Sequence, residues 1–97
     1  MRTKEYERIN FDQGGRFYLS KAERIQFGEK VIITRDGNYL RFFTQREWKR
    51  LVRKQLAGFK GAELRRKKRG LFGSAFLEKI DSQGRVHIPV SLRGGAR

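Results

Sequence analysis

Apolar and polar residues alternate with period two in two stretches that lie far apart in the chain. Phe17 and Leu19 alternate with Arg16, Tyr18 and Ser20, and Val86, Ile88 and Val90 alternate with Arg85, His87 and Pro89. Such alternation with one apolar face marks a half-buried strand. Each stretch follows a turn phrase, Asp12-Gln13-Gly14-Gly15-Arg16 in the first copy and Asp81-Ser82-Gln83-Gly84-Arg85 in the second. Asp can bond backbone N–H groups ahead of it and Gly accepts positive φ, so the phrase reads as a tight turn. The offset from Asp12 to Asp81 is 69 residues, and it also relates Phe11 to Ile80, Leu19 to Ile88 and Arg24 to Arg93. One structural unit is used twice. Each copy is expected to be a β-hairpin, 6–11 pairing with 16–20 and 75–80 with 85–90, with an Arg just past the turn on its polar face.

Between the copies the pattern changes. Residues 21–26 read as a short helix that Gly28 ends. Val31-Ile32-Ile33-Thr34-Arg35 and Tyr39-Leu40-Arg41-Phe42-Phe43 flank Asp36-Gly37-Asn38, a strong hairpin signal. Its first run is apolar on both faces, so it is expected to be the most buried part of the chain. Thr44 and Glu47 form a capping box for a helix running to about Ala57, with Gly58 as its stop. Trp48, Leu51, Val52 and Leu56 share one face of it, and Arg46, Lys49, Arg50, Arg53 and Lys54 occupy the rest. After a loop at 59–61, a second helix of about 62–72 carries Arg65, Arg66, Lys67, Lys68 and Arg69, opposed by Glu63. A counterpart of the 31–43 hairpin would begin near residue 100, beyond Arg97. The second copy is therefore expected to be incomplete and its strands less protected than 31–43. No Pro- or Ser-rich linker divides the chain, so one domain is expected.

Charge narrows the function. Twenty-four Lys and Arg against ten Asp and Glu give +14 over 97 residues. A polyanionic partner follows, nucleic acid before an anionic membrane. There is no cysteine, hence no disulfide, thiolate nucleophile or zinc thiolate site. No stretch approaches the ~18 apolar residues of a membrane span, and the first residues lack the apolar core of a signal peptide. A cytoplasmic protein is the expectation.

Several residues admit two readings. Arg16 and Arg85 are either DNA contacts or solvated turn arginines. Asp12 and Asp81 could form a carboxylate pair and, with His87, a phosphodiester-cleaving site, but an Asp opening a Gly turn has a complete local explanation. His87 is better read as a surface or DNA-facing residue. The 65–69 run fits a phosphate-binding face and a solvated face equally well. Trp48, with its helical partners, reads as core rather than a base-stacking platform. A basic RNA-binding or ribosome-associated protein is the alternative to a DNA-binding one.

The order of these features resembles the MraZ family. They run turn phrase, short helix, Asp-Gly hairpin, capped Trp helix, basic helix, Gly73-Ser74-Ala75-Phe76 and second turn phrase with Leu92 and Arg93. MraZ is a family of bacterial transcriptional regulators in the SpoVT/AbrB superfamily, and the likeness covers roughly residues 6–93. It implies an α+β fold, a swapped-hairpin, cradle-loop barrel with two helices inserted between two repeats. Repeat one would span about 6–57, the basic helix about 62–72 and a partial repeat two about 75–93. It further implies a sequence-specific repressor of a cell-division and cell-wall gene cluster. Such a protein would bind promoter repeats in double-stranded DNA as a ring-shaped homo-oligomer, associated with the nucleoid, without cofactor, catalysis or membrane. The family's DNA-contacting role carries over onto Arg16 and Arg85. Arg24 and Arg93, equivalent by the offset, and Arg65, Arg66, Lys67 and Lys68 complete the candidate DNA-binding set. Ser20 departs from the pattern, standing where the second copy has Pro89.

Overall fold

The structure, a computed structural model, describes residues 4–7, 15–36 and 39–93. Strand β1 is Lys4–Glu7 and β2 is Arg16–Tyr18. Helix α1, Lys21–Phe27, precedes the hairpin strands β3, Lys30–Asp36, and β4, Tyr39–Phe43. Helices α2, Gln45–Leu56, and α3, Gly61–Gly73, follow, then β5, Phe76–Lys79, β6, Arg85–His87, and the short α4, Val90–Arg93. The turn Asp12-Gln13-Gly14, the strand positions Ile9 and Phe11, and the tip Gly37-Asn38 lie outside the described residues.

The strands pair otherwise than the local phrases suggest. One antiparallel sheet has the order β1-β4-β3-β5, and β2 pairs with β6 in a second. Among the described residues, neither β1 and β2 nor β5 and β6 form a ladder with each other. The first strand of each copy joins the β3–β4 hairpin, β1 along β4 and β5 along β3, while the second strands pair with each other. Beyond this, the Ile80–Val86 bridge and the Asp81 N–H to Arg85 O bond link the two sides of the second turn. Of the expected pairing of 75–80 with 85–90, the Ile80–Val86 bridge is present, while Phe76–Lys79 pairs with β3 instead. Of the expected pairing of 6–11 with 16–20, Tyr6 and Glu7 pair with β4, and residues 8–11 lie outside the described residues. A physical reason is that one hairpin has two edges, and each copy's first strand covers one of them. The second copy needs no hairpin of its own, so the ground for expecting less protection there disappears. Among the described residues the two sheets form no closed barrel.

The four-stranded sheet is apolar on both faces, as the sequence of β3 requires. Val31, Ile33, Leu40 and Phe42, all fully buried, face the β2–β6 ribbon, which contributes Phe17, Leu19, Val86 and Ile88. Phe17 and Phe42 meet at 5.3 Å between ring centroids. Phe27 from α1 and Leu92 from α4 complete this core. On the opposite face Ile32 and Phe43, paired in register, receive Trp48 of α2, with Leu51 and Val52 beside it. The layers are therefore ribbon, sheet and α2, with α3 against α2 through an edge-on Trp48–Phe72 contact at 6.4 Å.

Local chemistry accounts for the helix ends. The Thr44 backbone N–H donates to Glu47 Oε1 at 3.1 Å and the Glu47 N–H to Thr44 Oγ1 at 3.0 Å, the expected box. Ser20 builds a second box with Glu23, at 2.8 and 3.1 Å. Its departure from Pro thus has a local use, since a Ser cap is worth about 0.5–2 kcal/mol over Ala. The period-two reading of 85–90 overran the strand. Pro89 opens α4, its carbonyl accepting from Leu92 N–H at 2.9 Å. Val90 consequently lies exposed on a helix, and Leu92 takes the buried place. Helix α3 continues through Gly70.

Candidate nucleic-acid interface

The β2–β6 ribbon presents one polar face built from both copies. Its register sets Arg16 opposite His87, Phe17 opposite Val86 and Tyr18 opposite Arg85. Residues directly opposite in an antiparallel pair lie on the same face. Burial of Phe17 and Val86 against the sheet therefore turns Arg16, His87, Tyr18 and Arg85 outward together. Because Arg16 is equivalent to Arg85 and Tyr18 to His87, a pseudo-twofold axis passes through the Phe17–Val86 pair.

The second turn holds Arg85 firmly. Asp81 Oδ1 accepts from the Gln83 N–H at 2.8 Å and from the Arg85 N–H at 2.9 Å. Its Oδ2 accepts from Arg85 Nε at 2.7 Å. Backbone closure comes from Gly84 N–H to Asp81 O and from Asp81 N–H to Arg85 O, both 3.0 Å, with Gly84 at φ +84°. These bonds favour the charged forms. The Arg85 N–H, ahead of its guanidinium and the Gln83 N–H, holds the Asp81 carboxyl below its usual range, against a smaller opposing effect of burial. The carboxylate in turn raises Arg85, with a lesser contribution from Tyr18 across the ribbon. Asp81 is thus engaged with the turn and with Arg85. Its would-be partner Asp12 lies outside the described residues.

Each copy also locks the other. Leu19 N–H donates to Gly84 O and Ile88 N–H to Gly15 O, both at 2.8 Å, a reciprocal pair under the 69-residue offset. Arg24, from α1, lies over Gly84 and donates from Nη1 to Ser82 O at 3.0 Å. Arg93, from α4, lies over Gly15 and donates from Nε to Ile88 O at 2.8 Å. A Cβ on Gly84 would fall 2.8 Å from Arg24 Cδ and 3.0 Å from Leu19 O, and one on Gly15 would fall inside the Arg93 guanidinium. The glycines are therefore needed for close approach as well as for positive φ. Arg24 Nε is buried there without a hydrogen-bond partner.

The eight arginines and lysines singled out in the sequence thus fall into three places. Arg16 and Arg85 share the ribbon face, Arg24 and Arg93 brace the turns, and Arg65, Arg66, Lys67 and Lys68 are exposed on α3. Lys67 Nζ sits 4.8 Å from the Phe59 ring centroid, a cation–π contact. Sequence reasoning missed that Tyr18 and His87 join the arginines on one surface, because that face exists only once β2 pairs with β6. The shared offset of Arg24, Arg93 and the two glycines was visible, but their crossed contacts were not. Among the described residues no group of three His, Cys, Asp or Glu is placed to hold a metal ion, and no helix is long and apolar enough to cross a membrane.

No family model matches the chain. Curated relatives do. The transcriptional regulator MraZ of Heliobacterium modesticaldum is 35% identical over 92 residues, covering 92% of this chain and 63% of the relative. The transcriptional regulator MraZ of Carboxydothermus hydrogenoformans is 35% identical over 88 residues, covering 89% of this chain and 62% of the relative. The chain spans less than two thirds of the length of either relative. Over about nine tenths of its own length the chain is similar to these MraZ transcriptional regulators.

Proposed function

We propose that this chain is an MraZ-type, sequence-specific, DNA-binding transcriptional regulator whose β2–β6 ribbon reads the major groove. The carrying observation is the ribbon face itself: Arg16, Tyr18, Arg85 and His87 on two paired strands, with Arg85 oriented by Asp81. The major groove, about 12 Å wide, admits a two-stranded ribbon, and arginine is the commonest reader of guanine there. Arg16 and Arg85 contact base edges, and Arg24 and Arg93 act through the turns they brace. Arg65, Arg66, Lys67 and Lys68 supply sequence-independent attraction to phosphates. Crossed pairing of the two copies supports the swapped-hairpin reading of the domain. The net charge of +14 supports a polyanionic partner. Family likeness supports repression of a cell-division and cell-wall gene cluster by a nucleoid-associated, ring-forming homo-oligomer that needs no cofactor. The strand edges of β1 and β5, the latter with Leu77 exposed, are surfaces another copy would cover.

A duplex selected by the protein from a random pool tests this reading against a scrambled duplex and a structured RNA at fixed salt. Preference for the selected duplex of at least about 10³, the lower end for specific binders, is expected. Equal affinity for scrambled DNA, or tighter binding to the RNA, would overturn it.

A further inference from the structure

The stretch from Thr44 to Gly73 holds eleven Lys or Arg against two Glu. On α2 the cations are ordered. Arg46, Lys49, Arg50 and Arg53 recur at helical spacing, line one shallow cleft and are all exposed. Among the described residues none of the four is ion-paired. The opposite side of the same helix is committed, since Trp48, Leu51 and Val52 pack on Ile32 and Phe43. That packing fixes where the cleft points. The β2–β6 ribbon covers one face of the central sheet and α2 the other, so the four cations face away from the ribbon. A straight duplex lying on the ribbon does not reach them.

We infer that the outer face of α2 is a second DNA-binding surface, which holds the phosphate backbone of a duplex segment other than the one on the ribbon. The chain then bridges two segments. This rests on the reading of the ribbon as a DNA interface. The stripe from Arg46 to Arg53 spans about 10 Å of helix. A duplex presents roughly six charges over that length, enough to engage all four cations. Duplex DNA fits better than the other polyanions. The four cations carry no exposed aromatic platform for unstacked bases, Trp48 being buried against Phe43 at 5.3 Å. The apolar side of α2 is already used in the core, so nothing remains to insert into a membrane surface.

The test uses the duplex selected by the protein, immobilised on beads and saturated with protein, followed by a labelled duplex of unrelated sequence. Wild-type protein retains the label, and retention falls steeply between about 50 and 200 mM salt. The variant Arg46→Gln, Lys49→Gln, Arg50→Gln, Arg53→Gln keeps good helix formers at exposed positions, and circular dichroism checks its fold. It is expected to load on the beads with unchanged sequence preference and to lose about tenfold or more of the captured label. Capture equal to wild type would overturn the inference, as would displacement of the label by structured RNA at equal phosphate concentration. Failure of the wild type to load on the selected duplex would instead strike the ribbon reading. The labelled duplex is then titrated directly against both proteins, and equal affinities would overturn the α2 surface as well.

Discussion

Replacing Arg24 by Ala should loosen a turn 58 residues away. Arg24 belongs to α1, yet its guanidinium lies over Gly84 and its Nη1 donates to Ser82 O. Hydrogen bonds from charged groups contribute about 1.5–3 kcal/mol, but this one is exposed and the freed carbonyl regains water. A loss of about 1 kcal/mol from the 81–85 turn is therefore expected, roughly a fivefold shift toward its open form. The reporters are the Gln83 and Arg85 amides, which donate to Asp81 Oδ1 and should exchange with solvent about five times faster. Arg24→Lys retains the charge without the planar fork and should loosen the turn nearly as much. That variant separates bracing from phosphate binding, since a lysine would serve a phosphate almost as well. Both variants should lose preference for the selected duplex while the salt slope stays put. Faster exchange confined to α1, with Gln83 and Arg85 unchanged, would refute the reasoning.

Other consequences are as direct. Arg16→Ala with Arg85→Ala should leave circular dichroism and melting nearly unchanged, since neither side chain is core, while preference for selected over scrambled DNA collapses. Arg66→Gln with Lys67→Gln should weaken binding to all sequences alike and lower the salt slope by ~0.9 for each phosphate no longer neutralised. Sedimentation at micromolar concentration should show an assembly larger than the 11.5 kDa chain, and a monomer throughout would remove the oligomer from the proposal. Acid should release Arg85. The Asp81 carboxyl titrates lower in the folded turn than in the unfolded chain, so its contribution is present above the usual carboxylate range and is lost as pH falls through the lowered value. Asp81→Asn should abolish that pH dependence, as read from the Arg85 Nε–H resonance.

Much of the fold was legible because it is written locally. The Thr44–Glu47 box, the Gly28 stop and the alternation at Phe17 and Val86 each specify their element without distant partners. Errors came where the same local chemistry serves two arrangements. A turn from Asp81 to Arg85 has the same internal bonds whether or not its flanking strands go on to pair. Likewise Pro89 fits the end of a strand and the start of a helix. Only Leu92, buried where Val90 was expected, decides for the helix.

Strand partners are a long-range matter, and here the deciding quantity is edge coverage. A local hairpin for each copy would have left both edges of β3–β4 open and Val31, Ile33, Leu40 and Phe42 without a lid. Crossed pairing removes both faults at once. Strands β1 and β5 take the two edges, and β2 with β6 closes over the apolar face. In exchange, neither ribbon strand is complete without the other copy. That dependence is also what brings Arg16 beside His87 and Arg85 beside Tyr18. The candidate site was therefore legible residue by residue but not as a surface, since its four members come together only when the two copies, 69 residues apart in the chain, pair across the pseudo-twofold axis.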